Sequence, residues 1–111
     1  MVVLALELAP GYRQFAFDQI KRLKVLQDHG IDLVAAVPAL SGDGHLRYAS
    51  PRGEELRHVA LVEIQGALLA VAYVDRDGIC RLITARATRV AERRAYRAIH
   101  DRRDPGETGL G

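Results

Sequence analysis

Eight arginines and no lysine fall between Arg81 and the C-terminus of this 111-residue chain. Two of them, Arg81 and Arg86, bracket the apolar run of RLITAR. Three more, Arg89, Arg93 and Arg97, recur every fourth residue and would line one face of a helix. Residues 1–80 hold 8 Lys/Arg against 10 Asp/Glu, whereas residues 81–111 hold 8 Arg against 4 Asp/Glu. The charge is therefore −2 in the first part and +4 in the second, although the whole chain is only +2. A guanidinium is a flat fork that meets two phosphate oxygens at once, which a lysine ammonium does not do. The asymmetry hints at a polyanionic partner, although charge alone favours a solvated helix face. Glu92, amid these arginines, has two roles open to it: an ion pair with Arg89 or Arg93, or proton transfer as a general base.

Those side chains need a scaffold, and its elements are legible in turn. Gln14–Phe17 alternates polar and apolar residues and reads as a short strand. Asp18 is a good N-cap for a helix over residues 19–28, with Ile20, Leu23 and Leu26 at helical spacing and Gly30 as the stop. Asp32 begins a second, short helix that Pro38 limits. Residues 41–53 are rich in Gly, Ser and Pro and read as loop, with a brief strand over 45–48. Leu56–Ile64, Ala67–Val74 and Ile79–Ala85 then read as three strands joined by tight turns at Gln65-Gly66 and Asp75–Gly78. Short turns between consecutive strands imply an antiparallel meander. A last helix runs from an N-cap at Thr88 to about His100, with Ala91, Ala95, Ala98 and Ile99 as its apolar stripe. The expected fold class is α+β: a small antiparallel sheet made of a three-strand meander plus a short N-terminal strand. Two N-terminal helices and a C-terminal helix pack on one face of it.

One domain, residues 15–101, accounts for this pattern. An N-terminal extension of residues 1–14 precedes it and a flexible tail of 102–111 follows. Apolar residues make up 49% of the chain and charged residues 27%, an ordinary globular composition. At this length roughly two-thirds of the extended-chain surface can be buried. MVVLALELAP has no basic leading region, is interrupted by Glu7 and is far short of the ~20 apolar residues of a membrane span. It reads as an extra strand or a loose extension. The single cysteine, Cys80, lies inside an apolar run and reads as a buried, inert thiol. No Cys/His cluster has zinc spacing, and neither metal nor cofactor is expected. A cytoplasmic setting fits these features.

Several motifs together carry a resemblance. FAFDQIKRLKVLQDHGI is similar to the opening motif of the BrnT family, with Phe15, Phe17, Asp18, Lys21, His29, Gly30 and Ile31 at matching offsets. Arg57, Ala60, Gly66 and Tyr73 match its central segment. RLITAR resembles its R-[IL]-I-[ST]-A-R strand, and Glu92 to Tyr96 its E-R-R-x-Y helix. The resemblance spans about residues 15–97, with departures at Gln19, Val25, Val62 and Ala87.

The resemblance implies a toxin of a toxin–antitoxin system with a fold like the RelE ribonucleases. Such a toxin is a metal-independent endoribonuclease that cuts mRNA, on or off the ribosome, and inhibits translation. It also implies an antitoxin partner, BrnA, whose ribbon-helix-helix part binds operator DNA in a heterotetramer. A catalytically weak binding module acting as corepressor is the other function to weigh. RNA cleavage without metal requires deprotonation of the 2′-hydroxyl, stabilisation of the phosphorane and protonation of the leaving oxygen. On this footing Arg57, Arg81, Arg86 and Glu92 are the catalytic candidates. Lys21, His29, Arg89, Arg93, Tyr96 and Arg97 are the RNA-binding candidates. Alternative roles stay open for His29 at the helix C-terminus and for Tyr96 at the edge of the core. One geometric condition follows. Arg81 and Arg86 differ by an odd number, so a regular strand sets them on opposite faces unless a bulge intervenes or Arg86 has already left the sheet. Arg86 is the favoured phosphate contact, with Arg81 second.

Overall fold

The computed structural model describes residues 4–102, and the expected flexible tail falls outside them beyond Arg102. Six strands and three helices follow in the order β1 (Glu7–Ala9), β2 (Gln14–Phe17), α1 (Gln19–His29), a 3-10 turn (Leu33–Ala36), α2 (Val37–Leu40), β3 (His45–Arg52), β4 (Glu55–Ile64), β5 (Ala67–Arg76), β6 (Ile79–Ala87) and α3 (Val90–Arg102). They form one sheet in the order β1-β3-β4-β5-β6-β2. Every pairing is antiparallel except that of β2 with β6.

The fold class is α+β as expected, but the sheet is larger. The meander has four long strands rather than three, because the brief strand expected at 45–48 extends into the eight-residue strand β3. Its Pro51 sits next to the open edge past Arg47, where a missing N–H is tolerated. The extension supplies β1, which pairs with β3, and Tyr12, which enters the core. Gly11 makes that entry possible, since a Cβ there would collide with the Gly42 carbonyl.

Local chemistry accounts for the connections. The Asp18 carboxylate accepts from the Ile20 N–H at 2.8 Å, and Gly30 closes α1 at φ 69°. Gln65-Gly66 and Asp77-Gly78 both have two positive φ values in succession, the two-residue hairpin geometry that matches strand twist.

Helices cover both faces of the sheet rather than one. On one face α1, the 3-10 turn and α2 bury Val25, Leu33, Ala36 and Leu40 against Ala60, Val71, Tyr73, Cys80, Leu82 and Ala85. On the other, Tyr96 of α3 packs with Tyr48 and Leu6 on a smaller cluster of Val59, Leu61 and Ala70. The inward side of α3 also differs from the alanine stripe. Ala91 and Ala98 are exposed, while Glu92, Ala95, Tyr96 and Ile99 are turned inward. This orientation brings Glu92 to its ion pair with Arg86 and Tyr96 onto the apolar cluster.

At one end of the first face Arg47 ties the extension to the sheet. Its guanidinium donates to Glu7 at 2.8 Å, to Tyr73 at 2.9 Å and to Tyr12 at 3.1 Å, while the Tyr12 hydroxyl donates to Asp75 at 2.8 Å. His45 Nε2 lies 2.7 Å from the Tyr73 hydroxyl. Burial, with Arg47 and His58 adding to it, brings His45 down to about 4, so this ring is neutral. Burial likewise pushes Cys80 up to about 12, which fits an inert thiol.

Candidate functional site

A β-bulge decides where the arginines go. Ala72 faces Thr84 and Tyr73 faces Leu82, so Ile83 is an extra residue in β6. Leu82 and Ala85 on either side of it both enter the main core. Arg81, Thr84 and Arg86 consequently share the opposite face, which a regular strand would forbid. Cross-strand register extends the pattern. Tyr48 faces Val59, Val59 faces Ala72 and Ala72 faces Thr84, making one transverse row across four strands. Ser50 faces Arg57 on one side of that row, and Ala70 faces Arg86 on the other.

Small residues in the middle row leave a hollow of about 110 Å3 between the two flanking rows. Ala72 and Thr84 lie in its floor, and Arg52, Arg57, Arg86 and Arg89 converge on it from β3, β4, β6 and the start of α3. Tyr48 and Ser50 complete its polar wall. Arg86 is paired with Glu92 and Arg57 with Glu55, so Arg52 and Arg89 supply most of the uncompensated positive charge around the recess.

Glu92 lies directly behind this recess and is almost wholly enclosed, its side chain 2% exposed. Arg86 Nη1 and Nη2 donate to its two oxygens at 2.8 and 2.9 Å. The Tyr48 hydroxyl donates at 2.6 Å and the Arg89 backbone N–H at 2.7 Å. Burial alone would raise this carboxyl, yet the Arg86 guanidinium, the Arg89 N–H and the Tyr48 hydroxyl outweigh it and hold it at about 2. Burial and the neighbouring Glu92 also push the Tyr48 phenol above its ordinary range. The Arg89 N–H bond is a helix cap formed three residues back from Glu92, with α3 beginning at Val90. Thr88, expected as the cap, instead donates its hydroxyl to the Leu68 carbonyl at 3.4 Å.

The other candidates are distributed around this recess. Arg57 lines it while also donating to Glu55 at 3.0 Å. Arg81 is exposed on the same face, opposite Val74. Lys21 and His29 lie across β6, in an apolar hollow of about 230 Å3 shared with Val25, Ile83 and Thr84. Thr84 lines both hollows, so the two meet at the outer edge of β6. Arg93, Tyr96 and Arg97 border a separate groove with Glu63 and Leu68. Arg93 donates to the Thr88 carbonyl at 2.6 Å, and Tyr96 stacks on His100 with ring centroids 5.4 Å apart. The helical row of Arg89, Arg93 and Arg97 is therefore divided between two grooves. Tyr48, Ser50, Arg52 and Thr84 are recess residues that motif reading passed over. Their signal was present: Tyr48, Ser50 and Arg52 alternate, as they must on one face of a strand.

Among the described residues, no three His, Cys, Asp or Glu side chains are grouped to hold a metal ion, and no helix is long and apolar enough to cross a membrane.

A recess of this kind on a small mixed sheet suits a protein that grips a phosphate backbone. The model of the BrnT_toxin family, described as the ribonuclease toxin BrnT of type II toxin–antitoxin systems, matches residues 17–92. The chain belongs to that family. The match covers Arg57, Arg81, Arg86, Arg89 and Glu92 and ends before Arg93, Tyr96 and Arg97. No curated protein matches the chain at a significant level. Membership makes this a toxin of the ribonuclease class, with RNA as its substrate and an antitoxin as its partner.

Proposed function

We propose that the arginine recess is the RNA-cleaving site of a metal-independent endoribonuclease that cuts mRNA and inhibits translation, on a sheet of RelE-like type. The observation that carries this reading is the convergence of four arginines over Ala72 and Thr84. The scissile phosphate sits on that floor, with Arg57, Arg86 and Arg89 around it. As the phosphorane gains charge, their N–H bonds to its oxygens strengthen, which lowers the barrier rather than merely tightening binding. Glu92 acts through Arg86: both its oxygens are occupied and its carboxyl is held at about 2, so it aims a guanidinium instead of taking a proton. Arg81 extends the positive face along the RNA, and Lys21 and His29 meet the strand past the edge of β6. Arg93, Tyr96 and Arg97 form an outlying contact surface. The antitoxin is a BrnA-like ribbon-helix-helix protein, and the two assemble into a heterotetramer on operator DNA.

A second reading, a corepressor with little catalysis, draws on one observation. The recess is walled by arginines and hydroxyl groups, with no histidine or lysine among its lining residues. Induced expression without antitoxin separates the two. The ribonuclease reading expects growth arrest that an Arg57→Ala/Arg89→Ala double variant abolishes. Unimpaired growth with the wild-type chain favours the corepressor.

A further inference from the structure

The outer edge of β6 is only half covered. β2 pairs with residues 79–82 and stops at Phe17 opposite Leu82, so the stretch 83–87, paired with β5 on its inner side, has no strand on its outer side among the described residues. Both faces of that open stretch are differentiated. On one side lies the arginine recess, reached through Thr84 and Arg86. On the other lies the apolar hollow between β6 and α1, floored by Val25 and Ile83 and rimmed by Lys21, Lys24, Asp28 and His29, with Lys24 paired to Asp28 at 3.8 Å. A strand laid along this edge would alternate its side chains between the two.

We infer that the open half of β6 is where the antitoxin docks, through an extended segment that pairs as an added strand. Its alternate side chains are acidic over Arg86 and Arg89 and apolar in the hollow against Val25 and Ile83. The Ala87 carbonyl already accepts from Arg86 Nη1, and the outward backbone groups of residues 83–86 on the open side call for a peptide backbone rather than a nucleic acid. Arginines on one face and an apolar, lysine-rimmed hollow on the other set the side-chain alternation. Other open stretches fit less well: residues 48–52 of β3 include Pro51, which has no N–H, residues 62–64 of β4 carry Glu63, and the outer edges of the terminal strands β1 and β2 border neither hollow. Docking at β6 stands on this geometry alone. Its consequence, a direct block of the recess, rests on the ribonuclease reading.

The probe is a synthetic octapeptide of alternating Glu and Val, with a Lys and Val peptide as control, added to the full chain. Amide hydrogen exchange and fluorescence anisotropy are the readouts. The expected result is binding by the acidic peptide alone, with exchange slowed at residues 83–87. Lys24→Glu, outside the recess, is expected to weaken it by about tenfold, one step of 1.4 kcal/mol. Slowed exchange at 48–52 or 62–64 instead, equal binding of the basic peptide, or no binding at millimolar concentration overturns the proposal. Protection of 83–87 on a chain that cuts no RNA supports the docking site while overturning the ribonuclease reading.

Discussion

Arg86 and Glu92 show how a buried ion pair shapes an exposed site. Breaking such a pair leaves one charge enclosed without a partner, which costs a few kcal/mol. Glu92→Gln is therefore expected to lower stability by about 3 kcal/mol at neutral pH, measured by urea denaturation. The sign of the pH dependence follows from the direction of the shift. The folded carboxyl is held at about 2, below its ordinary value of 4.5, so its contribution is complete above 4.5 and is lost as pH falls towards 2. The variant should lack that acid-side loss; an unchanged slope between pH 4.5 and 2 would show that Glu92 is not what stabilises this corner. His45 behaves in the same sense at higher pH. Its folded value of about 4 lies below 6.5, so protonation of the unfolded chain erodes stability as pH falls from 6.5 to 4. His45→Gln should flatten stability across that window. A slope equal to wild type would assign it to other groups.

At the scale of elements, the bulge in β6 and the strand β3 decide the site, and neither was legible in full. The ends of α1, both hairpin turns and the core positions of β4, β5 and β6 follow from caps, positive-φ turn residues and apolar runs. Only the start of β3, residues 45–48, was legible, because Gly42, Gly44 and Gly53 flank it and Pro51 interrupts it as they would a loop, although Tyr48, Ser50 and Arg52 alternate along it. A bulge leaves no composition of its own: nothing in RLITAR distinguishes an extra Ile83 from a regular strand, and only the pairing with β5 reveals it. The helical row of three arginines was correct as periodicity, but α3 is held at Glu92 and Tyr96 so that Arg89 faces one groove and Arg93 and Arg97 another. The floor row offers a test free of charge effects. Ala72 is partly exposed beneath the recess, so Ala72→Leu should fill it with little change in melting temperature and abolish RNA cleavage. Full activity in a folded Ala72→Leu protein would place the chemistry elsewhere.

For the whole molecule, the division of labour runs through the sheet. One face, under α1, the 3-10 turn and α2, carries most of the buried apolar side chains, while the other is left half open with the arginines above small residues. The acidic excess of residues 1–80 is consumed largely in holding the frame: Glu7 on Arg47, Asp32 on Arg22 and Glu55 on Arg57. After residue 80 Glu92 is taken up by Arg86, while Arg81 and Arg89 are exposed towards solvent. RNA affinity should accordingly fall steeply with salt, as counterion release requires. Shallow salt dependence would contradict a site built on guanidinium groups. The most direct measurement is cleavage of an mRNA by the purified chain in excess EDTA, comparing wild type with the Arg57→Ala/Arg89→Ala variant at matched melting temperature. Cleavage that persists in EDTA and falls by about a hundredfold or more in the variant is the predicted result. Intact RNA with the wild-type chain, or undiminished cleavage by the variant, would contradict it.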